Sequence, residues 1–140
     1  MTRREGVNLV VREWVAKAEN DLTNAAHTLL LEANCPTDTV CFHAQQCVEK
    51  YIKAFLVSKE ISFPKTHDLE ILIALLPVRL RPRLSDEEQS ILTDYATGAR
   101  YPGWSDISLT EARRAVAMAK RVRKEIRKSI PKEALQIRRK

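Results

Sequence analysis

Residues 38–58, DTVCFHAQQCVEKYIKAFLVS, decide the fold of this chain. Apolar residues recur in this stretch at spacings of three and four, which is the period of one face of an α-helix. They are Cys41, Ala44, Val48, Tyr51 and Phe55. We therefore predict a helix of about Asp38 to Ser58, buried along this face, with Phe55 in the core.

The rest of the chain follows the same helical period, and prolines or capping boxes separate its segments. Further helices are predicted over Val11–Ala33, with Trp14 in the core, over Asp68–Leu76 after an N-cap at Thr66, from a Ser85 capping box to about Gly98, and from a Ser108 capping box to about Ser129. No Asn-Gly or Asp-Gly turn and no sustained apolar–polar alternation indicates a strand. We expect an all-α, compact, up-and-down bundle of about five helices.

Composition is typical of one globular domain. The 140 residues are 44% hydrophobic and 30% charged, which allows a core of its own. We treat 1–140 as a single domain, with a core at about 10–128 and a basic tail at 129–140. No apolar run approaches the roughly 18 residues of a membrane span, and no signal-peptide pattern follows Met1. The expected location is the cytoplasm, with no membrane attachment.

Cysteine usage points to packing rather than chemistry. Cys35, Cys41 and Cys47 include no Cys-x-x-Cys pair, and on a helix Cys41 and Cys47 lie about 240° apart. They are predicted to be small buried hydrophobes. No metal site and no cofactor is expected.

Positive charge is concentrated at the end of the chain. The formal net charge is +6, with −3 over residues 1–110 and +9 over residues 111–140. This asymmetry favours an acidic partner, although a solvated helix face explains it equally well.

Four donor side chains share one face of the helix at 38–58. His43, Gln46, Lys50 and Lys53 are spaced by three, four and three, so their side chains line up. This face is a candidate for binding a phosphate or a nucleic-acid backbone. The alternative is structural, with His43 and Gln46 bonded to neighbouring helices and the lysines solvated.

A second candidate group lies at the ends of other predicted helices. His67 lies beside Asp68 at a helix start, where its imidazole is a candidate for a chemical role. The alternative is a structural role, in which it caps or orients the start of the helix. Tyr95, Arg100 and Tyr101 lie near the end of the fourth helix. An arginine can bind a phosphate while a tyrosine ring stacks on a base. The alternative is that Arg100 neutralises the helix end and Tyr101 packs into the bundle.

These segments, taken together, carry a family resemblance. Phe42-His-Ala-Gln-Gln-x-x-Glu-x-x-x-Lys53-Ala, Pro64-x-Thr-His-Asp-Leu69 and Ala99-Arg-Tyr-Pro102 occur in order. Together with Trp14, Ala18 and the Asp21-Leu22 pair they resemble a prokaryotic HEPN domain over about residues 10–128. The resemblance implies a five-helix, usually dimeric bundle that associates with a nucleotide or RNA. It also implies a minimal nucleotidyltransferase partner, as in toxin–antitoxin pairs.

One departure from the family bears on catalysis. HEPN ribonucleases carry an arginine and a histidine separated by four to six residues, whereas no arginine precedes His27, His43 or His67 at that distance. No catalytic residue is therefore assigned, and the leading hypothesis is a non-catalytic HEPN module that binds a nucleotide or RNA or supports a nucleotidyltransferase. The alternatives are an atypical ribonuclease toxin, using a set such as His67 with Arg100, and a plain helical interaction module.

Overall fold

The computed structural model describes residues 1–98, 102–103 and 106–136. Its helices are α1 (Arg3–Leu29), α2 (Thr37–Ser58), α3 (Leu69–Ala74), α4 (Asp86–Thr97), α5 (Leu109–Ser129) and α6 (Lys132–Leu135), and single 3-10 turns follow α1 and α3. Within these residues no strand occurs. The predicted all-α bundle is confirmed, and α6 adds one short turn to the five predicted helices.

The four long helices run alternately up and down. Arg3, at the start of α1, is bonded to Glu60, just beyond the end of α2, so these two helices are antiparallel. Glu111, at the start of α5, accepts a hydrogen bond from Tyr95 near the end of α4. α4 and α5 are therefore antiparallel as well.

α2 lies at the centre of the bundle. It contacts α1, α3, α4 and α5, and 14 of its 22 residues are buried. Phe55 is 1% exposed, which confirms its predicted place in the core. Burying a side chain of that size contributes about 1.5–3 kcal/mol, so this helix supplies much of the apolar stabilisation.

Trp14 lies at the margin of the core rather than inside it. Its ring is half-buried and meets Phe63 edge-on, with centroids 6.4 Å apart. The fully buried positions of α1 beside it are Val11, Val15 and Ala18. The buried face of α1 is thus centred on these smaller residues rather than on Trp14.

Two predicted helix starts need correction. α1 begins at Arg3 rather than Val11, because Thr2 accepts a hydrogen bond from the Glu5 amide and caps an additional two turns. α3 is capped by Asp68, whose side chain accepts from the amides of residues 70 and 71. Thr66 instead accepts from the Asp68 amide and orders the approach to the cap.

The two predicted capping boxes differ in outcome. At Ser85 both hydrogen bonds form, because the serine accepts from the Glu88 amide and the Glu88 carboxylate accepts from the Ser85 amide. At Ser108 the serine caps the Glu111 amide, but the Glu111 carboxylate accepts the Tyr95 hydroxyl instead of returning to the cap. The cap at α5 is therefore half of a box.

Two of the three cysteines are buried, as predicted, and Cys35 is partly exposed. Burial raises the pKa of the Cys41 thiol to about 12, so this thiol is protonated at neutral pH and a poor nucleophile. None of the described helices has the length and apolar character to cross a membrane.

Candidate functional site

The donor face predicted on α2 is directed at α1. Asp21, 8% exposed, accepts a hydrogen bond from Lys50 Nζ at 2.6 Å. Its second oxygen is 2.8 Å from Nδ1 of His43. One carboxylate of α1 thus holds two of the four residues that were predicted to bind phosphate.

A second carboxylate gathers the other half of the predicted site. Glu49, whose side chain is 3% exposed, forms an ion pair with Lys53 at 2.9 Å. It also lies 2.8 Å from Nδ1 of His67, in the segment before α3. Gln45 donates to the same carboxylate, and Gln46 donates to the Gln45 side-chain oxygen at 2.6 Å. These bonds satisfy a carboxylate that would otherwise be costly to bury.

Lys53 is the most enclosed of the four predicted ligands on α2. Its side chain is 9% exposed, and its ammonium lies 5.5 Å from the ring centre of Trp14. The ring of Phe63 lies 5.9 Å away. Such contacts stabilise a cation over an aromatic face, so the ammonium is held by both a carboxylate and two rings.

The structure therefore brings the predicted residues of α2 close together, but the polar groups of three of them are bound to carboxylates of the protein itself, Asp21 and Glu49. His43 bonds to a neighbouring helix, as in the structural alternative, but Gln46 bonds to Gln45 of its own helix. Both lysines are paired with a carboxylate rather than solvated. A phosphate bound here would place further negative charge beside Asp21 or Glu49. His67, with 59% of its side chain exposed, is the member most open to solvent. The phosphate-binding role of these residues stays a prediction.

Of the predicted ligands near the end of the fourth helix, Tyr95, Arg100 and Tyr101, the structure describes only Tyr95. Tyr95 is 2% exposed, and burial together with the hydrogen bond to Glu111 raises the pKa of its phenol. Stacking of a base on this ring would require α4 to move. Arg100 and Tyr101 lie outside the described residues, so their predicted role also stays a prediction.

Sequence reasoning missed a third carboxylate, Glu19 of α1. It accepts hydrogen bonds from Arg123 at 2.7 Å and from Arg127 at 3.2 Å, both on α5. The Tyr51 hydroxyl of α2 donates to the same carboxylate. Three helices meet at this one side chain. No sequence signal marks Glu19, because its partners lie up to 108 positions away along the chain.

Unpaired cations form a stripe on the outer face of α5. Arg113, Lys120, Lys124 and Lys128 are exposed or partly exposed. At 100° per residue they fall within about 80° of arc and extend over about 22 Å. No ion pair joins any of the four to a carboxylate of the described residues. We call these four residues the α5 stripe.

Comparison with known proteins supports the same fold. The chain matches the HEPN domain model over residues 11–129. A solved structure of TT1696 from Thermus thermophilus is similar, with 22% identity, a TM-score of 0.69, and coverage of 86% of this chain and 98% of that one. The structure of ST0689, an archaeal HEPN homologue, gives 23% identity, a TM-score of 0.64 and the same coverage. No curated protein matches the chain.

At these identities the two structures establish the fold alone, whereas the family model spans most of the chain. The sequence motifs around His43, His67 and Arg100 fall inside the matched range. The chain therefore belongs to the HEPN domain family.

Proposed function

We propose that this protein is a non-catalytic HEPN module that binds RNA along the outer face of α5. The observation that carries the proposal is the α5 stripe, in which four solvent-accessible cations have no carboxylate partner among the described residues. Cations of this kind neutralise backbone phosphates and release counterions, which is the main source of sequence-independent affinity for nucleic acids.

The shape of the stripe favours a polymer over a single nucleotide. Its four charges are spread over about 22 Å of helix, whereas a nucleotide requires donors that converge on one or a few phosphates. The donors that the sequence brings together on α2 are already paired, Lys50 with Asp21 and Lys53 with Glu49. A backbone with repeating phosphates matches the free cations better.

The histidines support a binding role without catalysis. Nδ1 of His43 and Nδ1 of His67 each lie against a carboxylate, and no arginine precedes either with four to six residues between them. Among the described residues, the arrangement gives two oriented imidazoles but not the arginine–histidine pair of HEPN ribonucleases. A ribonuclease that uses His67 with Arg100 is the competing hypothesis, and the experiment below includes a test for it.

The test is the affinity for a labelled single-stranded RNA, measured by fluorescence anisotropy over a series of salt concentrations. The variant Lys120→Gln/Lys124→Gln/Lys128→Gln removes three charges of the α5 stripe. Affinity should fall, and the slope of log affinity against log salt should decrease by about 0.7 for each phosphate that the variant no longer binds. Because these side chains lie on the outer face, the melting temperature should change little.

The matched control is Lys17→Gln/Lys65→Gln/Arg79→Gln. These three residues are also exposed, and no ion pair in the described part of the chain includes them. Equal weakening by both triple variants would mean diffuse electrostatic attraction and would contradict the proposal. Cleavage of the RNA by the unaltered protein, lost in His67→Ala, would show that the module is catalytic.

A further inference from the structure

A groove of about 600 Å³ lies between α1, α5 and α6, on the flank of the α5 stripe. Its walls are aliphatic, formed mainly by Leu9, Val15, Ala16 and Leu135. α6 closes one side, where Arg12 donates to the carbonyl of Glu133 at 2.6 Å. Among the described residues that line it, no aromatic ring is present, so the groove offers no surface on which a base could stack.

The charges of the groove favour an anion. Arg12, Arg123 and Arg127 line it together with two carboxylates, Glu13 and Glu19. Glu19 accepts from both arginines of α5. The hydrogen-bond partner of Arg12 is a neutral backbone carbonyl, and no carboxylate of the described residues forms an ion pair with it. The positive charge of Arg12 is therefore not neutralised by a close partner.

The arginines also retain donors that nothing in the described chain uses. A guanidinium has five N–H groups, whereas the partners of Arg123 are Glu19, bonded through Nε, and the Tyr51 hydroxyl. Arg127 uses a single terminal nitrogen for Glu19 and the Tyr51 hydroxyl. These two side chains are 39% and 30% exposed. Their remaining N–H groups can bind a second carboxylate without displacing Glu19.

We propose that this groove binds a medium-chain aliphatic carboxylate, such as a fatty acid. The hydrocarbon chain would lie along the aliphatic walls, and the carboxylate would accept from Arg12 and the free N–H groups of the two α5 arginines. The volume falls within the roughly 300–1,000 Å³ of small-molecule sites. Arginine is suited to a carboxylate because its fork binds both oxygens. The site is separate from the proposed RNA contact and does not depend on it.

The first test uses the unaltered protein and four probes below their micellar concentrations. Isothermal titration calorimetry should show saturable binding of decanoate. Decanol lacks the charge, acetate lacks the chain, and decyltrimethylammonium carries the opposite charge, so all three should bind at least tenfold more weakly. Failure of decanoate to bind, or equal binding of decanol, would overturn the proposal.

The second test places a bulky side chain in the groove. Ala16 is an exposed groove residue of α1, and Ala16→Trp should abolish decanoate binding. Ala117→Trp, at an exposed α5 position that does not line the groove, should bind normally. Arg12→Gln should weaken binding about tenfold, because it removes one charge-assisted contact.

Circular dichroism of each variant identifies any loss of fold. If a variant does not fold, the four probes on the unaltered protein still test the proposal. Undiminished binding by Ala16→Trp would show that decanoate binds elsewhere and would overturn the proposal. A change of molecular mass in light scattering on Ala16→Trp would show that the groove is a contact between copies, with the same consequence.

Discussion

Single carboxylates organise the polar interior of this protein. Asp21 holds two side chains of α2, Glu19 holds two arginines of α5, and Glu49 holds Lys53 and His67. Each acidic group accepts several donors because a carboxylate offers about four lone-pair directions. Enclosed charges of this kind are tolerated only when they are paired and hydrogen-bonded.

A prediction at the residue scale concerns Glu88 and acid. Burial acts to raise the pKa of this carboxyl, but hydrogen bonds from Ser85 and Arg121 outweigh burial and hold the pKa below its ordinary value of 4.5. The folded pKa is therefore lower than the unfolded one. The resulting stabilisation is fully present above the unfolded pKa and is lost as the pH falls through the folded pKa.

Melting temperature measured as a function of pH tests this assignment. Glu88→Gln should lower stability at neutral pH and flatten the decline below about pH 4.5. Glu87→Gln, at the exposed neighbouring position, should keep the acid-dependent decline. An unchanged decline in Glu88→Gln would mean that other carboxyls account for it.

At the scale of elements, α2 serves as the hub and the polar side chains select its neighbours. Its apolar face packs into the core, while Lys50 is fixed to α1 and Tyr51 to both α1 and α5. α5 differs because it is amphipathic, with Val116, Val122 and other buried residues on its inner face. The outer face is thereby left free for charged residues.

The buried ion pair of α2 gives a prediction at this scale. Glu49→Gln should reduce the free energy of unfolding by about 3 kcal/mol, because it leaves the Lys53 ammonium enclosed without its counter-charge. Lys53→Met in the same background should recover part of the loss, since the interior then holds no unpaired cation. Urea denaturation measures both effects.

Glu70→Gln, at an exposed position of α3, is the control for this experiment. It should change stability by less than about 0.5 kcal/mol. A loss of the same small size for Glu49→Gln would show that the ion pair is not required to hold α2 in place.

At the scale of the whole molecule, α3 and the turn after it expose apolar side chains that have no cover within the described chain. Ile71, Leu75 and Val78 are 47%, 37% and 77% exposed, on α3 and the turn after it. Ile71 and Leu75 are four residues apart and share a helix face. Exposed apolar groups that cluster in this way are typical of protein contacts. The nucleotidyltransferase partner, by comparison, rests on the family resemblance alone.

We expect a homodimer formed through this surface, since twofold dimers are the commonest symmetric assembly. Light scattering should give about twice the monomer mass of 16.0 kDa, and Val78→Asp should return the monomer. Leu30→Asp, at a similarly exposed apolar position at the end of α1, should leave the dimer intact. A mass of one chain at all working concentrations would refute the prediction.

The sequence by itself determined the helices and the fold class. The three-and-four spacing from Cys41 to Phe55 and the capping box at Ser85 are local signals, readable from neighbouring residues. The sequence predicts the start of α1 at Val11, eight residues after its true start at Arg3. The prediction relied on apolar residues, and the first residues after the Thr2 cap are polar or charged. The motifs around His43 and His67 identified the family in the same way.

Only the tertiary structure decided which charges are available to a ligand. Lys50 and Lys124 are the same residue type on helical faces, but Lys50 meets Asp21, 29 positions earlier in the chain, whereas Lys124 meets no carboxylate of the described residues. The sequence therefore pointed to α2 for the binding site, while the stripe of unpaired cations that we propose as the RNA contact is on α5. Pairing across helices depends on how distant segments approach each other, and the spacing within one helix carries no information about that.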